Sequence, residues 1–136
     1  MLGKLARWLR MLGYDTELAS NKEKDADILE RARVEGRVLL TRDKELGGHK
    51  GVFLLESSDI FEQMRSLTSE FTLELSESLV PRFCSLCNGR LRDAFPDELP
   101  EGVSSGWACV DCGQKYWHGS HWVGVEKFIK RLKRNS

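Results

Sequence analysis

Hydrophobic residues alternate with polar ones at the spacing of amphipathic helices in several parts of the chain. The predicted helices span residues 2–12, 23–35, 59–68 and about 122–134. Gly13 is a natural end for the first helix, and Gly36 ends the second. Ser20 or Asn21 is a suitable N-cap for the second helix.

Short apolar or alternating stretches predict three strands. They span residues 14–19, 37–41 and 52–55. With the helices, the order in the first part of the chain becomes helix, strand, helix, strand, turn, strand, helix. This order predicts an α/β fold with parallel strands and right-handed crossovers.

Charge divides the chain into two parts near Pro81. Residues 1–80 carry 12 basic and 15 acidic side chains, whereas residues 81–136 carry 9 basic and 6 acidic ones. We therefore predict an α/β domain over residues 1–80 and a smaller unit over residues 81–136. A length of 136 residues suits one small domain with an attached mini-domain.

The four cysteines form two pairs with the spacing of a zinc site. Cys84 and Cys87 make the first pair, Cys109 and Cys112 make the second, and 21 residues lie between the two pairs. Two such pairs place four thiolates at the corners of a tetrahedron, which suits Zn²⁺. The alternative is two redox pairs, but those usually precede a helix, and neither pair here is followed by a helical pattern. We predict a structural zinc in a zinc ribbon over residues 82–118.

Overall composition excludes some classes of protein. The formal net charge is zero, which rules out a polycation that binds nucleic acid through bulk charge. The longest apolar runs are far shorter than the roughly 20 residues that span a bilayer. Lys4, Arg7 and Arg10 interrupt the first turns, unlike a signal peptide. We expect a cytoplasmic protein with no membrane partner.

Acidic residues accompany the predicted sheet. Asp43 follows the strand that ends at Thr41, and Asp25 and Asp27 open the second helix. Because ligands bind at the carboxyl ends of parallel strands, carboxylates there are candidates for holding Mg²⁺ or Mn²⁺. Other roles remain open, since acidic residues also favour the first turn of a helix and Asp43 also suits an N-cap.

The last predicted helix is basic, and aromatic residues lie near it. The basic side of such a helix is either simply exposed to solvent or binds along a phosphate backbone. We interpret Trp8 and Trp122 as packing residues. Tyr116, Trp117 and His121 either pack the ribbon against the α/β domain, which we favour, or stack on single-stranded RNA. Four thiolates already fill a tetrahedron, so zinc has no need of His118 or His121.

Four signatures, in order and covering almost the whole chain, resemble those of the mut-seven C-terminal RNase domain family, a PIN-like group. They are residues 2–15, 35–43, 82–89 and, for the last, the cysteine pair at 109–112 with the segment 116–122. The resemblance implies a PIN-like parallel sheet with flanking helices, a C-terminal zinc ribbon and metal-dependent ribonuclease activity.

The resemblance also implies site residues and a partner. Asp43 matches the family's acidic residue after the third strand, Asp25 is the best match for the one that opens the second helix, and Asp27 is a weaker match. Asp25 and Asp43 would hold the catalytic Mg²⁺ or Mn²⁺ on an RNA substrate. No small-molecule cofactor is implied.

One departure from the family concerns the first strand. Family members usually have a hydrophobic strand that ends in Asp just before the Met-Leu-Gly found here at residues 1–3. We therefore expect the first central strand and one carboxylate to be missing, and cleavage by this exact chain to be weak or absent. The alternative function is a catalytically inactive zinc-ribbon module that binds RNA or protein.

Overall fold

The computed structural model describes residues 2–75, 81–120 and 122–134. These residues include four α-helices, which confirms the helices predicted from the apolar spacing. They are α1 (Gly3–Met11), α2 (Asp25–Glu35), α3 (Ile60–Phe71) and α4 (Trp122–Arg134). None of the helices in the described ranges is long and apolar enough to span a membrane.

The described strands form two small sheets. The first contains β1 (Leu39–Thr41) and β2 (Val52–Leu54), paired in parallel with Leu40 opposite Phe53. The second is antiparallel in the order β3-β4-β5, and a 3₁₀ turn at Pro96–Glu98 follows β3. Its strands are β3 (Leu91–Asp93), β4 (Trp107–Cys109) and β5 (Lys115–Tyr116). The fold is therefore mixed α/β with a small parallel sheet, as predicted.

The strand predicted at residues 14–19 is wrong, because this segment forms no sheet pairing. Side chains occupy the backbone groups that a neighbouring strand would need. The Thr16 N–H donates to Asn88 Oδ1 at 3.0 Å, and Arg10 Nε donates to the Thr16 carbonyl at 2.8 Å. The segment is therefore an extended connection from α1 to α2.

The start of α2 also differs from the prediction. The N-cap residue is Lys24, which makes no side-chain capping bond. Ser20 instead organises a turn before the helix: its Oγ accepts from the Lys22 N–H at 3.1 Å, and its N–H donates to Glu23 Oε2 at 2.8 Å. Gly36 ends the helix with φ of 67°, as expected.

The main hydrophobic core lies between α1, α3 and α4. The Trp8 ring stacks on Phe128 with centroids 4.1 Å apart, and Phe61 meets Phe128 edge-on at 5.8 Å. Buried residues of α4 complete this core, among them Trp122, Ile129 and Leu132. Trp8 and Trp122 are thus packing residues, as interpreted from the sequence.

The last helix packs on elements of the first part of the chain. The boundary predicted near residue 80 falls at residues 76–80, which lie outside the described ranges. The division into units 1–80 and 81–136 therefore stays a prediction. The core adds that α4, although it follows the ribbon in sequence, packs with α1 and α3.

Candidate metal centre

The first cysteine pair lies in a tight turn closed by two backbone hydrogen bonds. The Cys84 N–H donates to the Gly89 carbonyl, and the Asn88 N–H donates to the Cys84 carbonyl, both at 2.8 Å. Asn88 has a left-handed backbone, with φ of 67°, a conformation that asparagine tolerates better than most residues. This bend turns the chain back and brings the sulfurs of Cys84 and Cys87 to the same side.

The second cysteine pair repeats this geometry. The Cys109 N–H donates to the Gln114 carbonyl at 2.9 Å, and the Gly113 N–H donates to the Cys109 carbonyl at 3.1 Å. Gly113 has φ of 80°, the left-handed conformation that Asn88 has in the first turn. The two turns are therefore equivalent halves of one site, carried at the ends of the antiparallel strands.

The sulfur atoms of the four cysteines are close enough together to surround one metal ion. Their atoms lie within 4.8 Å of one another, with Cys84 and Cys112 at 3.6 Å and Cys87 and Cys109 at 3.5 Å. Zn–S bonds of about 2.3 Å give a tetrahedron with edges of about 3.8 Å. The thiols are free rather than disulfide-bonded. The cluster can therefore hold a metal ion such as zinc, at the four residues that the spacing predicted.

Hydrogen bonds from the backbone point at the sulfurs. Gly89 donates to Cys87 Sγ at 3.4 Å, and the N–H groups of Asp111 and Cys112 donate to Cys109 Sγ at 3.4 and 3.5 Å. Such bonds stabilise a thiolate, the form of cysteine that binds metal.

The thiols have opposed electrostatic environments. Burial by itself raises the pKa of Cys84. Hydrogen bonds from Tyr116 and the backbone together outweigh this effect and lower the pKa to about 7. The Gly89 N–H lowers the pKa of Cys87, yet burial and the neighbouring sulfurs raise it to about 12. Four thiolates at this separation repel one another, so a cation at their centre is what allows all four to ionise.

Tyr116 is a residue of the site that the spacing did not identify. Its oxygen accepts from the Ser85 N–H at 3.2 Å and lies 3.0 Å from Cys84 Sγ. Burial and the adjacent Cys84 raise its pKa to about 12, so the phenol keeps its proton and can donate it to the sulfur. These contacts lie inside the ribbon and join β5 to the first cysteine turn.

His49 and His118 take no part in the metal group. Within the described residues, the group of metal-binding side chains contains only the four cysteines. The His118 ring stacks on Trp122 with centroids 4.1 Å apart, and it therefore packs the ribbon against the start of α4. His121 lies outside the described residues.

Polar contacts join the first cysteine turn to the α/β part. Arg10 is buried and donates from Nη1 to the Ser85 carbonyl at 2.9 Å. Asn88 Nδ2 donates to Asp15 Oδ1 at 2.7 Å. Hydrogen bonds from Arg37 and Asn88 lower the pKa of Asp15 despite some burial. Nothing in the cysteine spacing identifies these partners, because they lie more than 70 residues away in sequence.

The predicted acidic residues occupy exposed positions. Asp25 is the first residue of α2, and Asp27 lies in the same turn. Asp43 follows β1 by two residues, and its Oδ1 accepts from the Glu45 N–H at 2.9 Å. Asp43 therefore organises a turn.

Among the described residues, the structure does not bring Asp25, Asp27 and Asp43 together as a group of three side chains able to hold an ion. In the part of the chain that is described, the cysteines form the one group of three or more His, Cys, Asp or Glu side chains able to hold an ion. A site formed by Asp25 and Asp43 would therefore have two carboxylates. It stays a prediction.

The fold and site define a class: a mixed α/β protein with a small parallel sheet and a four-cysteine cluster consistent with a zinc ribbon. The chain belongs to the Mut7-C RNAse domain family, whose model matches residues 1–129. This match confirms the resemblance found in the sequence. Comparison with curated proteins and with solved structures gives no significant match.

Proposed function

We propose that the chain is a PIN-like, metal-dependent ribonuclease domain that hydrolyses RNA phosphodiesters. The observation that carries the proposal is membership of the Mut7-C RNAse domain family over residues 1–129. Asp25 and Asp43 would hold Mg²⁺ or Mn²⁺, which binds phosphate oxygen and lowers the pKa of the attacking water.

The positions of the two acids support this assignment. Asp43 follows the carboxyl end of β1, which pairs in parallel with β2, and ligands of open α/β sheets bind at that edge. Asp25 opens α2, the helix that precedes β1 in the chain. Mg²⁺ needs only one or two protein carboxylates when substrate phosphates and water complete its shell.

The cysteine cluster would have a structural role in this protein. We propose that it binds one Zn²⁺ and that the ribbon and the basic α4 position the RNA strand. A cytoplasmic location would keep these thiols reduced and available to zinc.

The test is Asp43→Asn in the full chain. The Asn side chain keeps an oxygen that can accept from the Glu45 N–H, so the turn after β1 should be retained while the charge is lost. The sequence predicts only weak cleavage by this chain, and we expect Asp43→Asn to abolish the Mn²⁺-dependent part of it. Asp97→Asn is the matched control, because Asp97 is an exposed carboxylate in the 3₁₀ turn of the ribbon. Cleavage that survives in Asp43→Asn with an unchanged rate removes Asp43 from the mechanism.

A second candidate function is a catalytically inactive module that binds RNA or protein. The observation that favours it is the lack, among the described residues, of a three-ligand group at the acidic positions. Under this alternative, zinc-loaded protein binds RNA but leaves it intact at every Mn²⁺ concentration. Cleavage that Asp43→Asn abolishes would exclude it.

A further inference from the structure

Charge is strongly segregated in this protein although its formal net charge is zero. Together α1 and α4 carry eight basic side chains and one acidic one, a net charge of +7. The rest of the chain must therefore carry a net charge of −7. These helices lie near opposite ends of the sequence, so the segregation is visible only in the fold.

The two helices are neighbours in space. Trp8 of α1 stacks on Phe128 of α4, and both helices pack on α3 through the main core. On α4, Lys127 and Arg134 lie seven residues apart, two turns along one side of the helix and about 10 Å from each other. On α1, Lys4 and Arg7 are exposed and lie one turn apart.

These four residues differ from the ion-paired arginines of the chain. Arg31, Arg33, Arg37, Arg65 and Arg92 each form an ion pair with a carboxylate. Within residues 2–75, 81–120 and 122–134, the side chains of the α1 and α4 set (Lys4, Arg7, Lys127 and Arg134) have neither an ion pair nor a hydrogen bond. Their positive charge is therefore left for an external anion.

We infer that α1 and α4 form one composite surface that binds the phosphate backbone of RNA. The inference rests on the proposed function for its choice of RNA as the polyanion. Lysine and arginine that neutralise phosphates release condensed counterions, which makes binding sequence-independent and sensitive to salt. We call the four residues Lys4, Arg7, Lys127 and Arg134 the basic surface.

The packing of α4 argues against a lipid surface. An amphipathic helix binds a membrane by burying its apolar face in the lipid. Here that face is already occupied, because Trp122, Ile129 and Leu132 are buried in the protein core. The cationic side remains for binding, and it suits a charged chain that lies along the helix.

The experiment measures binding of a fluorescent single-stranded RNA by anisotropy. The full, zinc-loaded chain carries Asp43→Asn to prevent cleavage, and no Mg²⁺ or Mn²⁺ is added. Two pair variants are compared in this background: Lys4→Gln with Arg7→Gln, and Lys127→Gln with Arg134→Gln. The control is Arg33→Gln with Arg65→Gln, which removes the same charge from exposed, ion-paired positions.

Each pair variant is expected to bind RNA at least about tenfold more weakly at low salt, and the control is expected to bind like the parent. The slope of log affinity against log salt should become shallower by about 1.4 in each pair variant, since a single-stranded phosphate contact contributes about 0.7. A weakening confined to the α4 pair would overturn the composite surface. An equal loss in the control would overturn it as well, because net charge alone would then explain binding.

Other outcomes separate this inference from the proposed function. If the wild-type chain never cleaves RNA but both pairs weaken binding, the ribonuclease proposal fails and the basic surface stands. If cleavage is normal and both pairs bind RNA like the parent, the basic surface is wrong and the ribonuclease proposal stands. Tighter binding to phosphatidylserine vesicles than to RNA would overturn RNA as the partner.

Discussion

At the scale of single residues, Gly89 determines how closely the two cysteine turns approach. A Cβ at this position would lie 2.5 Å from Asp111 Oδ2 and 2.8 Å from Cys109 Sγ. Both distances are shorter than van der Waals contact, and the sulfur belongs to the metal group. A side chain at residue 89 therefore forces the Asp111 carboxylate and the Cys109 sulfur to move from these positions.

We predict that Gly89→Ala weakens metal binding. The parent should contain one equivalent of zinc per chain, whereas the variant should retain less than about half an equivalent after dialysis, because displaced thiolates no longer complete the tetrahedron. Elemental analysis of both proteins measures this. Gly124→Ala is the control, since a Cβ at that helical position meets no atom within 4 Å. Full zinc retention in Gly89→Ala would contradict the prediction.

The cysteines were predictable at this scale, and their supporting residues were not. Two spacers of two residues identify Cys84, Cys87, Cys109 and Cys112 because the chemistry of zinc requires four close sulfurs. Tyr116 has no such signature: its hydroxyl reaches Cys84 only because β5 pairs with β4, and that pairing depends on the fold of the whole ribbon.

At the scale of elements, apolar spacing predicted helices better than strands. Helix α4 was predicted at about 122–134 and observed at Trp122–Arg134, since its buried face repeats over three turns. Residues 14–19 have an alternating pattern too, but alternation does not reveal the partner of the backbone. Here the side chains of Arg10 and Asn88 bond to the backbone and take the place of a neighbouring strand.

We predict that α4 stabilises the α/β part, although it follows the ribbon in the sequence. Ile129 is completely buried in the core shared with α1 and α3, so Ile129→Ala should lower the free energy of unfolding by about 2–5 kcal/mol. Val123→Ala, at an exposed position of the same helix, should change it by less than about 0.5 kcal/mol. Denaturant unfolding of zinc-loaded protein, followed by circular dichroism, tests both. A loss below about 1 kcal/mol for Ile129→Ala would mean that α4 docks only weakly.

At the scale of the whole molecule, the ribbon and the α/β part are joined through the first cysteine turn. Arg10 reaches the Ser85 carbonyl, and Asn88 bonds both Asp15 and the Thr16 N–H. Asn88 directly follows Cys87, so a metal that fixes this turn also fixes the side chain that holds the connection after α1. Local sequence patterns cannot reveal these contacts, which join positions 72 to 75 residues apart.

Zinc removal should therefore loosen the connection between α1 and α2 as well as the ribbon. Hydrogen exchange of the Thr16 amide is the readout, because this N–H donates to Asn88 Oδ1. We expect a zinc chelator to accelerate exchange at Thr16 in the parent by at least about tenfold, since structural zinc supplies much of the folding free energy of a small metal domain.

The variant that isolates this link is Asn88→Gly. Asn88 has φ of 67°, which glycine adopts without strain, so the cysteine turn should keep its shape and its zinc. The variant loses the bonds to Asp15 and Thr16, and Thr16 should exchange rapidly whether or not chelator is present. Slow, zinc-dependent exchange in Asn88→Gly would show that another contact couples the two parts. If chelator leaves the exchange rate at Thr16 unchanged in the parent, the α/β part does not depend on the metal.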